Sequence, residues 1–247
     1  MKVLYKNLLD YGTVSATNEN PNYPASNLTY ELLRSRTLLA LFKATGNTST
    51  ITCTLDAVQT IDAVGVGNHN LSQLVITLKN SGGSTLGTET FTTTLATSYD
   101  STKLIELSTS YASVKTVEVA LTTTSTYVSI GGLYVGEILD MKDANAFQPV
   151  TVSLTSSAQV TKKGVVYGRA GISLQSMPWP MSGVTKAELD SYITMFEYCQ
   201  NNRPLFVEPN EGTTYKHWFA RIVNDSLTAT VYEGGDYDVQ IDFEEVK

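Results

Sequence analysis

Charge, histidine, cysteine and long apolar runs are all scarce in this chain of 247 residues, and each scarcity removes a class of function. Asp, Glu, Lys and Arg make up 17% of the residues, below the usual quarter. The net charge is −7, with 17 basic against 24 acidic side chains. No basic stripe, arginine-rich arm or basic–aromatic motif is present, which argues against nucleic acid as a partner. Two histidines, His69 and His217, leave few proton-transfer schemes, and no histidine pair falls at metal-ligand spacing. There is no G-x-S-x-G elbow for a nucleophilic serine and no phosphate-cradling loop. The two cysteines, Cys53 and Cys199, fall in an expected strand and an expected helix, where buried free thiols are the default reading. Residues 1–7 lack the continuous apolar core of a signal peptide. No run of about 18 apolar residues exists to span a membrane. The sequons at Asn27, Asn47, Asn70 and Asn224 are therefore read as chance matches in a Thr/Ser-rich chain. No catalytic residue, cofactor or metal is expected. Paired carboxylates for glycoside hydrolysis remain open, because their spacing is spatial and not sequential.

What the chain does have is Thr and Ser, as in Thr92-Thr93-Thr94 and Thr122-Thr123-Thr124-Ser125-Thr126, set among short apolar runs. β-branched Thr suits the half-buried surface of a strand, so the fold expected is mainly β. Hydrophobic residues reach 42%, enough over this length for a sizeable core in one large or two ordinary domains. Residues 51–56 alternate with period two. Residues 62–67 read as a buried strand, with Gly65 and Gly67 where another backbone or loop approaches closely. Further strands are expected at 74–79, 89–94, 103–107, 116–121 and 128–135, with a turn at 80–84. Short strands at this spacing indicate a sandwich or jelly roll.

The order of features in residues 18–138 resembles the discoidin-like, or galactose-binding-like, sandwich. The loop Asn22-Tyr23-Pro24-Ala25-Ser26-Asn27-Leu28 precedes the first core strands, and Leu33-Arg34-Ser35-Arg36 follows it. Then the run from Cys53 to Leu71, with Ile61-Asp62-Ala63-Val64 and His69-Asn70-Leu71, resembles the "I-D-x-V … H-N-L" pattern of that family. Many such domains bind sugars through loops at one end of the sandwich. The resemblance implies glycan or partner contacts at Tyr23, Arg34, Arg36, His69 and Asn70. From the residues alone, His69-Asn70 equally reads as a turn anchor that bonds backbone.

In the back half, Thr185 and Glu188 make a capping box that opens a helix over residues 186–200. Leu189, Tyr192, Ile193, Phe196 and Cys199 form its expected buried face. Pro178-Trp179-Pro180 is expected to break the preceding strand. Trp179, Trp218 and Tyr215 read as core or interface packing. Strands are expected at 205–207, 217–223, 227–232 and 237–243. The acidic run Glu233, Asp236, Asp238, Asp242, Glu244 and Glu245 reads as a solvated or interface-flanking edge strand. This order, hairpin, helix, aromatic-plus-proline strand and closing hairpin, resembles the tail-tube or distal-tail β-sandwich of long-tailed bacteriophage tail tips. It implies a hairpin arm, here Thr161, Lys162, Lys163, Gly164 and Arg169, that completes rings by pairing with a neighbour.

The organisation expected is a discoidin-like β-sandwich at 1–140, a linker at 141–149 and a tail-tube-like β domain with one packed α-helix at 150–247. The function expected is structural and not enzymatic: a component of a phage tail tip or baseplate, forming a homo-oligomeric ring of six or three copies. Its partners would be other tail proteins, within a virion assembled in the host cytoplasm. The alternative is a carbohydrate-binding module for a cell-surface glycan, and the least favoured reading is a polysaccharide hydrolase.

Overall fold

A computed structural model describes residues 1–29, 42–92, 101–144, 151–160, 166–200, 203–209, 217–231 and 234–246. It is mainly β, with one α-helix among the described residues. Two antiparallel sheets organise it. The first has the strand order Gly12–Ala16, Thr48–His69, Ser101–Thr122, Gln73–Lys79, Thr85–Phe91, and Gly132–Gly136 also pairs with Thr48–His69.

The short strands expected at 51–56 and 62–67 are two halves of one 22-residue strand, Thr48–His69, and those at 103–107 and 116–121 are halves of Ser101–Thr122. Register shifts between Thr54 and Ala63 turn the paired strands through a corner, as bulges do. One half then stacks on the other as a sandwich. Ile51, Cys53, Leu55, Val64, Val66, Ile76, Val117 and Val119 are buried in the core between them. A bulge breaks the period-two pattern, which is why the sequence shows two strands where one bends.

The second sheet runs Leu139–Asp140, Lys2–Leu4, Leu205–Glu208, Trp218–Ile222, Tyr237–Glu245, Val166–Val184, Thr151–Val160, with Ala229–Val231 also pairing with Tyr237–Glu245. The chain therefore begins in this sheet, builds the sandwich, and returns at Leu139–Asp140. That differs from the expected 1–140 division. Three residues are too few to show a periodicity, yet pairing with Leu205–Glu208 buries Val3 and Leu4 completely. Of the expected linker, Met141 and Lys142 pack firmly: Met141 N–H donates to Met1 O, and the Lys142 carbonyl accepts from Trp179 Nε1 at 2.9 Å. No helical turn forms over 141–144.

The acidic strand is not an edge. Tyr237–Glu245 is flanked by Trp218–Ile222 and Val166–Val184, burying Val239, Ile241 and Phe243 on the face that carries the helix. Asp238, Asp242 and Glu244 occupy the other face, where Arg221 Nε donates to Glu244 at 2.9 Å.

Pro178 and Pro180 do not break their strand either. Pro178 lies opposite Asp242. The Asp242 N–H donates to Asn224 Oδ1 and its carbonyl accepts from Val223. Both backbone groups of Asp242 thus point away from the proline strand, making this a non-hydrogen-bonded pair in which no proline N–H is missed.

The helix spans Lys186–Tyr198 and opens with the expected Thr185–Glu188 capping box, worth about 1 kcal/mol. It buries Leu189, Tyr192, Met195 and Cys199, whereas Ile193 is 37% exposed and Phe196 only partly covered. Leu189, Tyr192 and Met195 follow one another at i, i+3, so Met195 takes the place expected for Ile193.

Aromatic rings seated on glycines join the two sheets. A Cβ at Gly65 would fall 2.4 Å from the Phe206 ring and one at Gly132 3.0 Å from the Phe219 ring. The close approach expected at Gly65 and Gly67 is thus made by side chains. Tyr134 packs edge-on against both rings and donates its hydroxyl to Pro204 O at 2.8 Å.

Candidate functional site

One end of the sandwich gathers Tyr23, Lys43, His69, Asn70 and Tyr127. Tyr23 closes a tight turn through a bridge to Asn20 and precedes the short 3-10 helix Ala25–Leu28. Phe42–Lys43 pairs with Ser129–Ile130 as a small separate ladder. Lys43 N–H donates to Tyr23 O at 3.1 Å, and its carbonyl accepts from Asn20 N–H at 2.9 Å. The Lys43 ammonium lies 4.4 Å from the Tyr23 ring centroid and 5.5 Å from that of Tyr127. Such a cation sits in the attractive quadrupole field of both rings. Tyr127 is 37% exposed.

His69 and Asn70 lie beneath this surface. His69 is fully buried and its Nδ1 accepts from Leu71 N–H at 3.1 Å. The ring is therefore neutral with its proton on Nε2. Burial foremost, with the nearby Lys103 charge, lowers its pKa to about 4. Asn70 donates from Nδ2 to Tyr127 O at 2.8 Å and accepts from Ser129 N–H at 2.9 Å. Its carbonyl accepts the Thr123 hydroxyl. The Asn70 side chain holds the turn that carries Tyr127, and His69 holds its own turn through Leu71 N–H, which is the backbone-bonding role open to them from sequence. Arg34 and Arg36 lie outside the described residues. Lys43 and Tyr127 were not found from sequence, because nothing local links a lysine in a two-residue strand to a tyrosine in a Thr/Ser-rich turn.

The second histidine and the two cysteines lie away from this end. His217 Nδ1 accepts from Leu104 N–H at 3.2 Å, tying the second sheet to the sandwich. Burial, then Lys103, lowers its pKa to about 4. The Cys53 and Cys199 thiols are pushed up to about 12 by burial. Among the described residues no three His, Cys, Asp or Glu side chains cluster as metal ligands. A cleft of about 640 Å³ lies beside the helix end, lined by Phe196, Cys199, Arg221, Asn224 and Glu244 among others. Its main charges, Arg221 and Glu244, pair with each other.

The expected arm is partly described. Thr161, Lys162, Lys163 and Gly164 lie outside the described residues, and Arg169 is opposite Ser157. Thr151–Val160 pairs with Val166–Ser176, whereas Ser176–Val184 pairs with Tyr237–Glu244. The two ladders share only Ser176. Among the described residues, the hairpin beyond Ser176 pairs with nothing but itself. It is a two-stranded ribbon of about 30 Å.

No family model matches the sequence, and neither does any curated protein. Among solved structures, the chain is similar to the lectin domain of lectinolysin complexed with Lewis B antigen, at 13% identity and a TM-score of 0.42, over 54% of this chain and 97% of that one. It is also similar to a Streptococcus pneumoniae fucose-binding module, at 10% identity and a TM-score of 0.42, over 53% and 95%. A third likeness is the family 32 carbohydrate-binding module of C. perfringens NanJ in complex with galactose, at 12% identity and a TM-score of 0.42, over 56% and 100%. At these scores the likenesses carry no argument about what this chain binds.

Proposed function

We propose that this chain is a non-catalytic binding and assembly protein, and in its finer form a structural component of a bacteriophage tail tip or baseplate. The observation that carries the reading is the ribbon Thr151–Val160/Val166–Ser176, which leaves the sheet without a described partner. An isolated two-stranded hairpin is marginal in water, and its outer edge presents unpaired backbone donors and acceptors. Pairing with a neighbouring subunit satisfies both needs, and a head-to-tail contact of this kind closes into a ring when its rotation allows. The glycine-seated joint fixes how the sandwich is carried on such an assembly.

Light scattering tests this on the full chain and on a variant in which residues 152–175 are replaced by a two-residue turn. The reading expects discrete oligomers from the full chain and monomers from a variant with unchanged circular dichroism of the body. A full chain that stays monomeric at every concentration, or a variant that still assembles, would sink it.

The sandwich supports a second reading, a carbohydrate-binding module for host-surface recognition. The specific observation is its loop end, where Tyr23 and Tyr127 are fixed by backbone bonds and by the buried Asn70. Aromatic faces held in this way suit pyranose stacking. The two readings are compatible, one for each sheet.

A further inference from the structure

We infer that the Tyr23–Lys43–Tyr127 end of the sandwich is a site for an anionic saccharide, a pyranose carrying a carboxylate or a phosphate. The inference rests on the reading of the sandwich as a sugar-binding module and adds the chemical class of its ligand. Lys2, Lys79, Lys142 and Lys186 each face a carboxylate within 4 Å. Lys43 instead lies over two tyrosine rings, and no described carboxylate comes within ion-pair range of it. A ring face attracts an ammonium but accepts no conventional hydrogen bond from it, so the three N–H donors keep their capacity for oxygen ligands.

The backbone around that cation is fixed in advance. Lys43 is tied at N–H and C=O to Tyr23 and Asn20, and it pairs with Ser129. Ser129 and Tyr127 are in turn held by the buried Asn70 side chain. A ligand oxyanion meeting Lys43 would form charge-assisted hydrogen bonds, while the exposed part of the Tyr127 ring would cover the sugar's apolar face. In a chain of net charge −7, an anion is drawn to this end only by such a local cation. Asn70 is here a positioning residue, and Lys43, Tyr23 and Tyr127 are the contact residues.

The test compares full-chain affinities for galacturonic acid, galactose 6-phosphate and galactose, by NMR titration at low and at physiological ionic strength. It uses the wild type and Lys43→Met, which keeps an unbranched apolar side chain and removes the charge. The expected result is a roughly three- to tenfold preference for at least one acidic sugar over galactose, shrinking with salt and lost in Lys43→Met while galactose binding persists. A preference for one acidic probe alone tells carboxylate from phosphate. Equal binding of all three sugars, unchanged by Lys43→Met, would overturn the inference and leave the sugar-binding reading standing. No binding of any probe would remove both. Should Lys43→Met lower the unfolding midpoint, Tyr127→Ala provides the second variant, and it is expected to weaken neutral and acidic sugars alike. Unaltered binding in Tyr127→Ala would also overturn the inference.

Discussion

The joint between the sheets and the ribbon beyond Ser176 are opposites in how their backbone and surface are satisfied. At the joint, Leu4, Ala63, Leu104, Tyr134, Phe206 and Phe219 are all buried together, and glycines are seated where any Cβ would collide with a ring. Along the ribbon, each strand has one hydrogen-bonded neighbour and no further described partner. The joint completes its contacts within one chain, whereas in the proposed reading the ribbon completes its own against a neighbouring subunit. The difference separates residues whose loss should lower stability from residues whose loss should change only association.

The largest effect should come from Phe206→Ala, which empties the ring-on-glycine seat. A loss of about 3–5 kcal/mol is expected in denaturant unfolding, and a loss under about 1 kcal/mol would mean that the joint is not tightly packed. Gly65→Ala should follow, at about 2–3 kcal/mol, because its methyl would meet the Phe206 ring. The double variant with Phe206→Ala should recover part of that loss, since the colliding ring is gone.

Acid should also lower the stability of the fold. His69 and His217 are held neutral, with pKa values of about 4 against the ordinary 6.5. The unfolded chain therefore takes up protons first as the pH falls. Their contribution is fully present above about pH 6.5 and is lost progressively towards pH 4, on the order of 2 kcal/mol for the fully buried His69. His69→Gln should flatten that slope in a stability-versus-pH series, and an unchanged slope would contradict the assignment. Thr185→Ala, which removes the helix cap, should cost about 1 kcal/mol. Removing the ribbon should change the unfolding free energy of the monomer least, within about 0.5 kcal/mol, while the proposed reading expects it to abolish assembly.

The sequence was legible where a pattern is local. The Thr185–Glu188 box and the strand at 237–243 need only neighbouring residues, and both elements form, although the strand is central and not an edge. Patterns that depend on a distant partner were hidden. Whether Pro178 breaks a strand depends on which side its nitrogen faces, and that is decided by the backbone bonds of Asp242. Lys2–Leu4 joins the second sheet only because Leu205–Glu208 supplies the ladder. At the sandwich end, His69-Asn70 was visible as a motif, whereas Lys43 and Tyr127 become a pair only through the Phe42–Lys43/Ser129–Ile130 ladder. The setting in a phage tail tip came from resemblance and stands as a proposal.

Amide hydrogen exchange across a concentration series tests the contrast most directly. The account predicts that amides of Thr151–Val160 and Val166–Ser176 exchange quickly at the lowest concentration and gain protection as oligomers form, while Leu205–Glu208 and Trp218–Ile222 stay protected throughout. Ribbon amides already as protected in the dilute monomer as those of the joint strands, or still unprotected in the oligomer, would contradict it.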